Sequence, residues 1–364
     1  MRERVKELWK RCFNDSKEFI ELYFRLRYNN EVNLAIESGE EVIAALQMIP
    51  YPMTYAGSIV SSSYISGACT HPDFRNRGVM HELLRQAFGK MFRNNVLFST
   101  LIPAEEWLFD YYAKRGYSAT FHYEIKTIKR KEEYHTTKEN TLVDLFGINI
   151  PDWDKEYQIE CITDYNENVY QYLNNKLQER PCCIQHTQSD FNVIIEDLKL
   201  SKGSIYTLQR LQQMTNNPKE IIALAIAYPD ENNPSSFFLG ELVSDTKEAE
   251  LILLSNIVHE NNLETVKIAI PSIKEKPILT LGMARIIQVK PVLQLYAASH
   301  PEIELNIALT DEEISANNGY YYLNNGRCMF SERRLPETHQ QLSIGELAEM
   351  VLKKEHPYMS LMLN

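Results

Sequence analysis

At 364 residues and a net charge of −11, the chain is too long for one ordinary hydrophobic core and lacks the positive balance of a general nucleic-acid binder. A hydrophobic share of 44% and a charged share of 24% belong to a folded globular protein and exclude a disordered or fibrous chain. No apolar run reaches the ~18 residues of a membrane span, and the opening MRERVKELWKRCF has no apolar signal core, so a cytoplasmic protein without a membrane partner is expected. Six scattered cysteines without CxxC spacing argue against a zinc site and read as ordinary thiols. A pI of about 5.4 favours a cationic substrate over an anionic one by long-range attraction.

In chain order, a short helix spans Val5 to Phe13, and NDS caps a second helix, KEFIELYFRLRY. NLAIES and EVIAALQMIPY read as strands across a GE turn, and TYAGSIVSSSYISGACT as a third strand region. From Gly78, the residues Val79, Met80, Leu83, Leu84, Ala87, Phe88, Met91 and Phe92 form the stripe of an amphipathic helix. NVLFSTLIP follows as a buried strand, AEEWLFDYYAKRG as a helix closed by Gly116, and YSATFHYEIKTIK as a long alternating strand. The charged stretch KRKEEYHTTKEN ends this unit near residue 130. From Tyr157 a similar order restarts: a strand, two helices, three strands, a helix and the strand TVKIAI, which predicts a duplicated fold. From about residue 280 the arrangement changes to VKPVLQLYAASH as helix, two strands, the helix SIGELAEMVLKK and the tail HPYMSLMLN.

One stretch concentrates chemistry. In HPDFRNRGVMHELL, an RxxG turn between a strand and a helix aims consecutive backbone N–H groups and the positive helix end at one point, which suits a phosphate. Gly78 lets a pyrophosphate approach the main chain, while Arg75, Arg77 and Arg85 supply positive field in an acidic protein. Gly67 in the preceding strand suggests a bulge that opens the sheet for an extended ligand. The second repeat reads GELVSDTKEAELILL at its equivalent junction, with Glu241, Asp245, Glu248 and Glu250 where a phosphate would be repelled, so one ligand per chain is expected. Cys69 has no His or Asp at a meaningful spacing and reads as a buried thiol, and His71 and His81 have the wrong spacing for a metal, so no metal is expected.

Through RNRGVM the chain resembles the GNAT superfamily of N-acetyltransferases, matching its Q/RxxGxG/A motif at Arg75 and Gly78 and departing at Met80. The longer ACTHPDFRNRGVM, YYAKRGY and MARIIQVKPVL are similar to the enhanced intracellular survival branch. The resemblance implies an α/β (α+β) architecture of tandem GNAT folds, each a mixed, mostly antiparallel sheet flanked by helices, with a small sterol-carrier-protein-like α+β domain. The expected limits are 1–130 for the catalytic domain, 131–278 for a degenerate second GNAT domain and 279–364 for the C-terminal one.

It further implies transfer of acetyl from acetyl-CoA to a primary amine of a small, polar, cationic acceptor, in a homo-oligomer, a hexamer by analogy. The implied cofactor contacts are Ala68, Cys69 and Thr70 on the pantetheine arm, Asn76, Arg77, Gly78, Val79, Met80 and His81 around the pyrophosphate, and Tyr112 and Ala113 at the sulfur end. Tyr117 is the implied general acid, and the base is the terminal carboxylate, here that of Asn364, carried in by the apolar tail PYMSLMLN. The alternative is a non-catalytic acyl-CoA- or lipid-binding module that retains the fold.

Overall fold

The computed structural model describes residues 1–130, 156–211, 219–272 and 279–363. Two helices come first, α1 (Arg2–Cys12) and α2 (Lys17–Leu26). Ser16 caps α2 by accepting from the Phe19 amide at 3.1 Å, as the NDS signal predicts. Strands β1 (Asn33–Ser38), β2 (Glu41–Tyr55) and β3 (Ser58–Thr70) form an antiparallel meander. Then follow α3 (Val79–Arg93), β4 (Phe98–Leu101), α4 (Glu106–Ala113) and β5 (Ser118–Lys129).

The second half begins with β6 (Tyr157–Ile162), α5 (Glu167–Gln178), a two-residue β7 (Cys183–Ile184) and α6 (Gln188–Leu200). It continues with β8 (Ser204–Leu211), β9 (Lys219–Asp230), β10 (Asn233–Ser244), α7 (Lys247–Glu260) and β11 (Thr265–Pro271). Each half thus has a meander, a helix and a strand added in parallel, which is the duplication that the element order predicts. β6 precedes the helix pair of the second half, whereas α1 is the first element of the first.

The last region holds β12 (Leu279–Ile286), α8 (Val289–Ser299), β13 (Leu305–Thr310), β14 (Gly319–Asn324), β15 (Arg327–Ser331), β16 (Gln340–Ser343) and α9 (Ile344–Lys353). β13 to β16 make a separate four-stranded sheet in the order β15-β14-β13-β16. β12 does not join it. It enters the large sheet between β4 and β5, pairing Met283–Ile286 with Phe98–Leu101 on one side and Leu279–Ala284 with residues 118–123 on the other. The sequence reads this stretch only as a lead-in to the last region. β5 pairs with β11, so the described strands of both halves form one twelve-stranded sheet.

Packing follows the helical stripes. Leu8 and Trp9 of α1, with Tyr23 and Phe24 of α2, cover one face of the first meander, while Leu83, Leu84, Ala87 and Phe88 of α3 are 0% exposed on the other. Each such side chain is worth roughly 1.5–3 kcal/mol of apolar burial. Leu347, Ala348, Val351 and Leu352 of α9 join the cluster around Trp9 and Phe121, so the C-terminal helix completes the core of the first half. No helix among the described residues is long and apolar enough to cross a membrane.

Candidate active site

The RxxG turn has the geometry that an anion site needs. Pro72–Phe74 form one 3-10 turn, Asn76 and Gly78 take positive φ of 60° and 78°, and Gly78 is the N-cap of α3. No side chain caps α3, so its first-turn amides face outward without a built-in acceptor. A Cβ at Gly78 would meet nothing within 4 Å, which leaves the approach to these amides open. Arg75, Asn76, Arg77 and Gly78 are exposed. Arg75 donates from Nε to the Thr70 carbonyl at 3.2 Å, and Arg77 lies over the Phe74 ring at 5.3 Å. Arg85 pairs instead with Glu82 of its own helix at 2.9 Å, which withdraws much of its field. The His81 ring meets Glu313 of the C-terminal region at 2.8 Å, so His81 offers a ligand its main chain rather than its ring.

Beside the turn the sheet opens. β3 and β4 pair in parallel only from Ser62, Ser63 and Tyr64 to Phe98, Ser99 and Thr100; β4 then ends at Leu101 while β3 continues to Thr70. Gly67 stands in this free length at φ 59°, next to a register shift in the β2 pairing, as the predicted bulge requires. A Cβ there would stand 2.1 Å from the Trp9 ring, so glycine is demanded by the packing of α1 as well as by φ. Ala68, Val79, Met80 and Tyr112, from the strand, turn and helices singled out in the sequence, belong to the same hydrophobic cluster. Ala113 is exposed at the end of α4.

The two phenols differ. Tyr117 is 2% exposed, and its hydroxyl shares a 2.7 Å hydrogen bond with Ser99, itself 0% exposed; burial holds its pKa well above the ordinary phenol value. Tyr112 is 7% exposed with its ring 5.7 Å from that of Tyr117. Burial is likewise the main reason that its pKa is raised. Tyr64 packs its ring against Tyr51 with centroids 6.2 Å apart, and Tyr23 donates to Ser66 at 2.8 Å. This group of hydroxyls beside the bulge gives no sequence signal, because its members come from α2, β2 and β3.

The second half closes the corresponding position. Thr246 caps α7 by accepting from the Ala249 amide at 3.1 Å, and Glu248 and Glu250 occupy the first turn. Glu241, 1% exposed, is held by both terminal nitrogens of Arg180 at 2.7 and 3.0 Å and accepts from Ser360 at 2.7 Å. Tyr358 pairs with Cys182 and Ile184 through its main chain, and Arg180 lies over its ring at 4.8 Å. The His186 Nε2 meets the Ser360 carbonyl at 3.0 Å. Leu363 is buried with Leu22, Phe19 and Val193, so the tail ends against α2 of the first half. Asn364 lies outside the described residues. Nearby, a cavity of about 600 Å³ opens between the α2–β1 connection and the start of α6, lined by Arg27, Asn29, Pro50, Thr187 and Asp190 among others.

Comparison with known proteins agrees with this geometry. A family model described as an acetyltransferase (GNAT) domain matches residues 2–120. Along its length the chain is similar to the structure of a GCN5-related N-acetyltransferase from Anabaena variabilis, with a TM-score of 0.72 and 14% identity over 98% of this chain and 96% of that one. A probable N-acyltransferase from Enterococcus faecalis gives 0.71 and 13% over 96% and 87%. Eis1 from Mycobacterium abscessus gives 0.67 and 11% over 96% and 87%. At such identities the likeness establishes the fold, and no curated protein matches the chain. The chain therefore has a duplicated, mixed α/β fold like that of these structures, and its residues 2–120 match an acetyltransferase (GNAT) domain model.

Proposed function

We propose that the chain is an N-acetyltransferase moving acetyl from acetyl-CoA to a primary amine of a small, polar, cationic acceptor. The observation that carries this reading is the contrast between the two halves: α3 begins at an uncapped glycine beside an opened sheet, while α7 begins at a threonine that satisfies its own helix. The first arrangement supplies free amides, Arg75 and Arg77 for a pyrophosphate, with Asn76 to His81 around it. The free edge of Ala68, Cys69 and Thr70 supplies strand-type partners for the amides of the pantetheine arm. Thioester chemistry is then left at the bulge, beside the hydroxyl cluster.

Attack by a neutral amine releases a thiolate that needs a proton. A phenol held above its ordinary pKa stays protonated and is able to donate. Tyr112 is the stronger donor candidate, because the hydroxyl of Tyr117 is occupied by Ser99 in an enclosed site. Tyr117 then acts as the packing partner that holds Tyr112. For the base, the seating of Leu363 on α2 supports the terminal carboxylate of Asn364, with the acceptor entering from the α2 and α6 side.

The test is an acetyl-transfer assay over alkylamines, polyamines and aminoglycosides. Transfer to at least one amine, with a single CoA bound per chain, is expected. Tight CoA binding with no transfer to any of them selects the non-catalytic binding module instead. The sterol-carrier-like reading of the last region and the hexamer belong to this proposal and are checked by lipid extraction and light scattering.

A further inference from the structure

The first turn of α3 is held from outside by the C-terminal region. His81 is the third residue of α3, and its Nε2 lies 2.8 Å from Oε1 of Glu313, which stands in the connection between β13 and β14. A carboxylate oxygen accepts, so the ring donates from Nε2. The Glu313 side chain is buried, at 8% exposure, while that of His81 is partly exposed. Arg115 Nε, which has no hydrogen-bond partner, is 4.0 Å from the same carboxylate oxygen. Next to Glu313, Ile314 is buried in the apolar cluster that holds Leu83, Ala87 and Phe88 of α3. We propose that Glu313 is a positioning residue for CoA binding, which fixes His81 and through it the first turn of α3. The proposal rests on the reading of the uncapped α3 terminus as the pyrophosphate site.

Glu313 is anchored before it reaches His81. Asp311 Oδ1 accepts from the Glu313 and Ile314 amides at 3.0 and 3.1 Å and from Arg285 of β12 at 2.6 Å. Asn317 donates to Asp311 Oδ2 at 2.9 Å and to the Ile287 carbonyl at 3.1 Å, which ties the loop to the end of β12. Arg285 also donates to the Arg115 carbonyl at 2.8 Å and lies over the ring of Phe88 at 4.7 Å. The turn itself has no such anchor. No side chain caps α3, and Asn76 and Gly78 lead into it at positive φ, so the Glu82 amide, bonded to the Gly78 carbonyl at 3.0 Å, closes the first helical ring unaided. By charge alone, a carboxylate beside the pyrophosphate repels it. Removing Glu313 would therefore tighten CoA binding if its charge dominated, and weakens it if the support of His81 dominates.

In the full chain, CoA titration and kinetics with the amine selected by the transfer assay are compared for the wild type, Glu313→Ala, Glu313→Gln, His81→Leu and the Glu313→Ala/His81→Leu double variant. Hydrogen exchange of the Glu82 amide is followed without CoA. Glu313→Ala should weaken CoA binding about threefold or more and raise the KM for acetyl-CoA with kcat nearly unchanged, while Glu82 exchanges faster. Glu313→Gln keeps an oxygen acceptor for Nε2 and should recover most of the loss. His81→Leu keeps the main chain offered to the ligand and should lose affinity to a similar degree. The double variant should be no weaker than either single one, because both remove the same contact. Glu313→Ala that binds CoA as tightly as the wild type, or more tightly, overturns the proposal, as do single losses that multiply in the double variant. Should Glu313→Ala not fold, His81→Leu decides: native CoA affinity with native Glu82 exchange overturns it. A wild-type chain that binds no CoA overturns the pyrophosphate reading and the ligand half of the proposal together, while Glu82 exchange still decides whether Glu313 holds the turn.

Discussion

Gly78 and Tyr112 carry the most specific expectations of single residues. With φ at 78° and open space around a would-be Cβ, Gly78→Val strains the backbone without a clash, a cost of about 1–3 kcal/mol. CoA affinity measured by titration should fall by about tenfold or more while circular dichroism stays native, because the substituent stands before the α3 amides. Tyr112→Phe should lower kcat by about 10²-fold or more with little change in the KM for acetyl-CoA, the signature of a lost proton donor. Tyr117→Phe removes only the Ser99 bond and should cost stability more than turnover, about 1 kcal/mol in a denaturant titration. The RxxG turn and Gly67 are legible in the sequence because turn chemistry is local. The hydrogen bond between the Tyr117 and Ser99 hydroxyls is not, since it joins two segments that are brought together only in the fold.

At the scale of elements, the tail and β12 show why local pattern stops short. Glu241 reads in the sequence as a charge that repels phosphate; in the fold it is fully paired with Arg180 and Ser360, and holds the tail in place. Glu241→Ala leaves the partly buried Arg180 guanidinium and the Ser360 hydroxyl without their shared partner and should cost about 1–3 kcal/mol, seen as a fall in Tm. His186 provides a pH test. Burial is the main reason its pKa is lowered, and its Nδ1 has no partner, so protonation leaves a buried charge and an unsatisfied N–H. The unfolded chain binds the proton more readily, so stability is full above its ordinary value of about 6.5 and is lost as pH falls through the lower folded value. His186→Gln should flatten that acid slope of Tm. β12 is equally illegible, because a strand interior to a sheet is specified by two edges far away in sequence, Phe98–Leu101 and Ser118–Tyr123.

For the whole molecule, the continuous sheet makes the first half dependent on the rest of the chain. Residues 1–130 alone lack β12 and the α9 face of their core. They also lack Arg285, 0% exposed, which pairs with Asp311 at 2.6 Å and donates to the Arg115 carbonyl at 2.8 Å. A 1–130 fragment should therefore fail to show native near-ultraviolet circular dichroism, and the full chain should unfold with the first and last regions coupled. The duplicated order was legible from its elements, while their fusion into one sheet was not. That fusion leaves one open sheet edge beside an uncapped helix in the first half and a tail-filled, threonine-capped counterpart in the second. Isothermal titration of the full chain with CoA tests this asymmetry most directly: one CoA per chain is predicted, weakened by Gly78→Val and unaffected by Thr246→Ala. Two CoA molecules per chain, or one whose affinity ignores Gly78→Val, would contradict it.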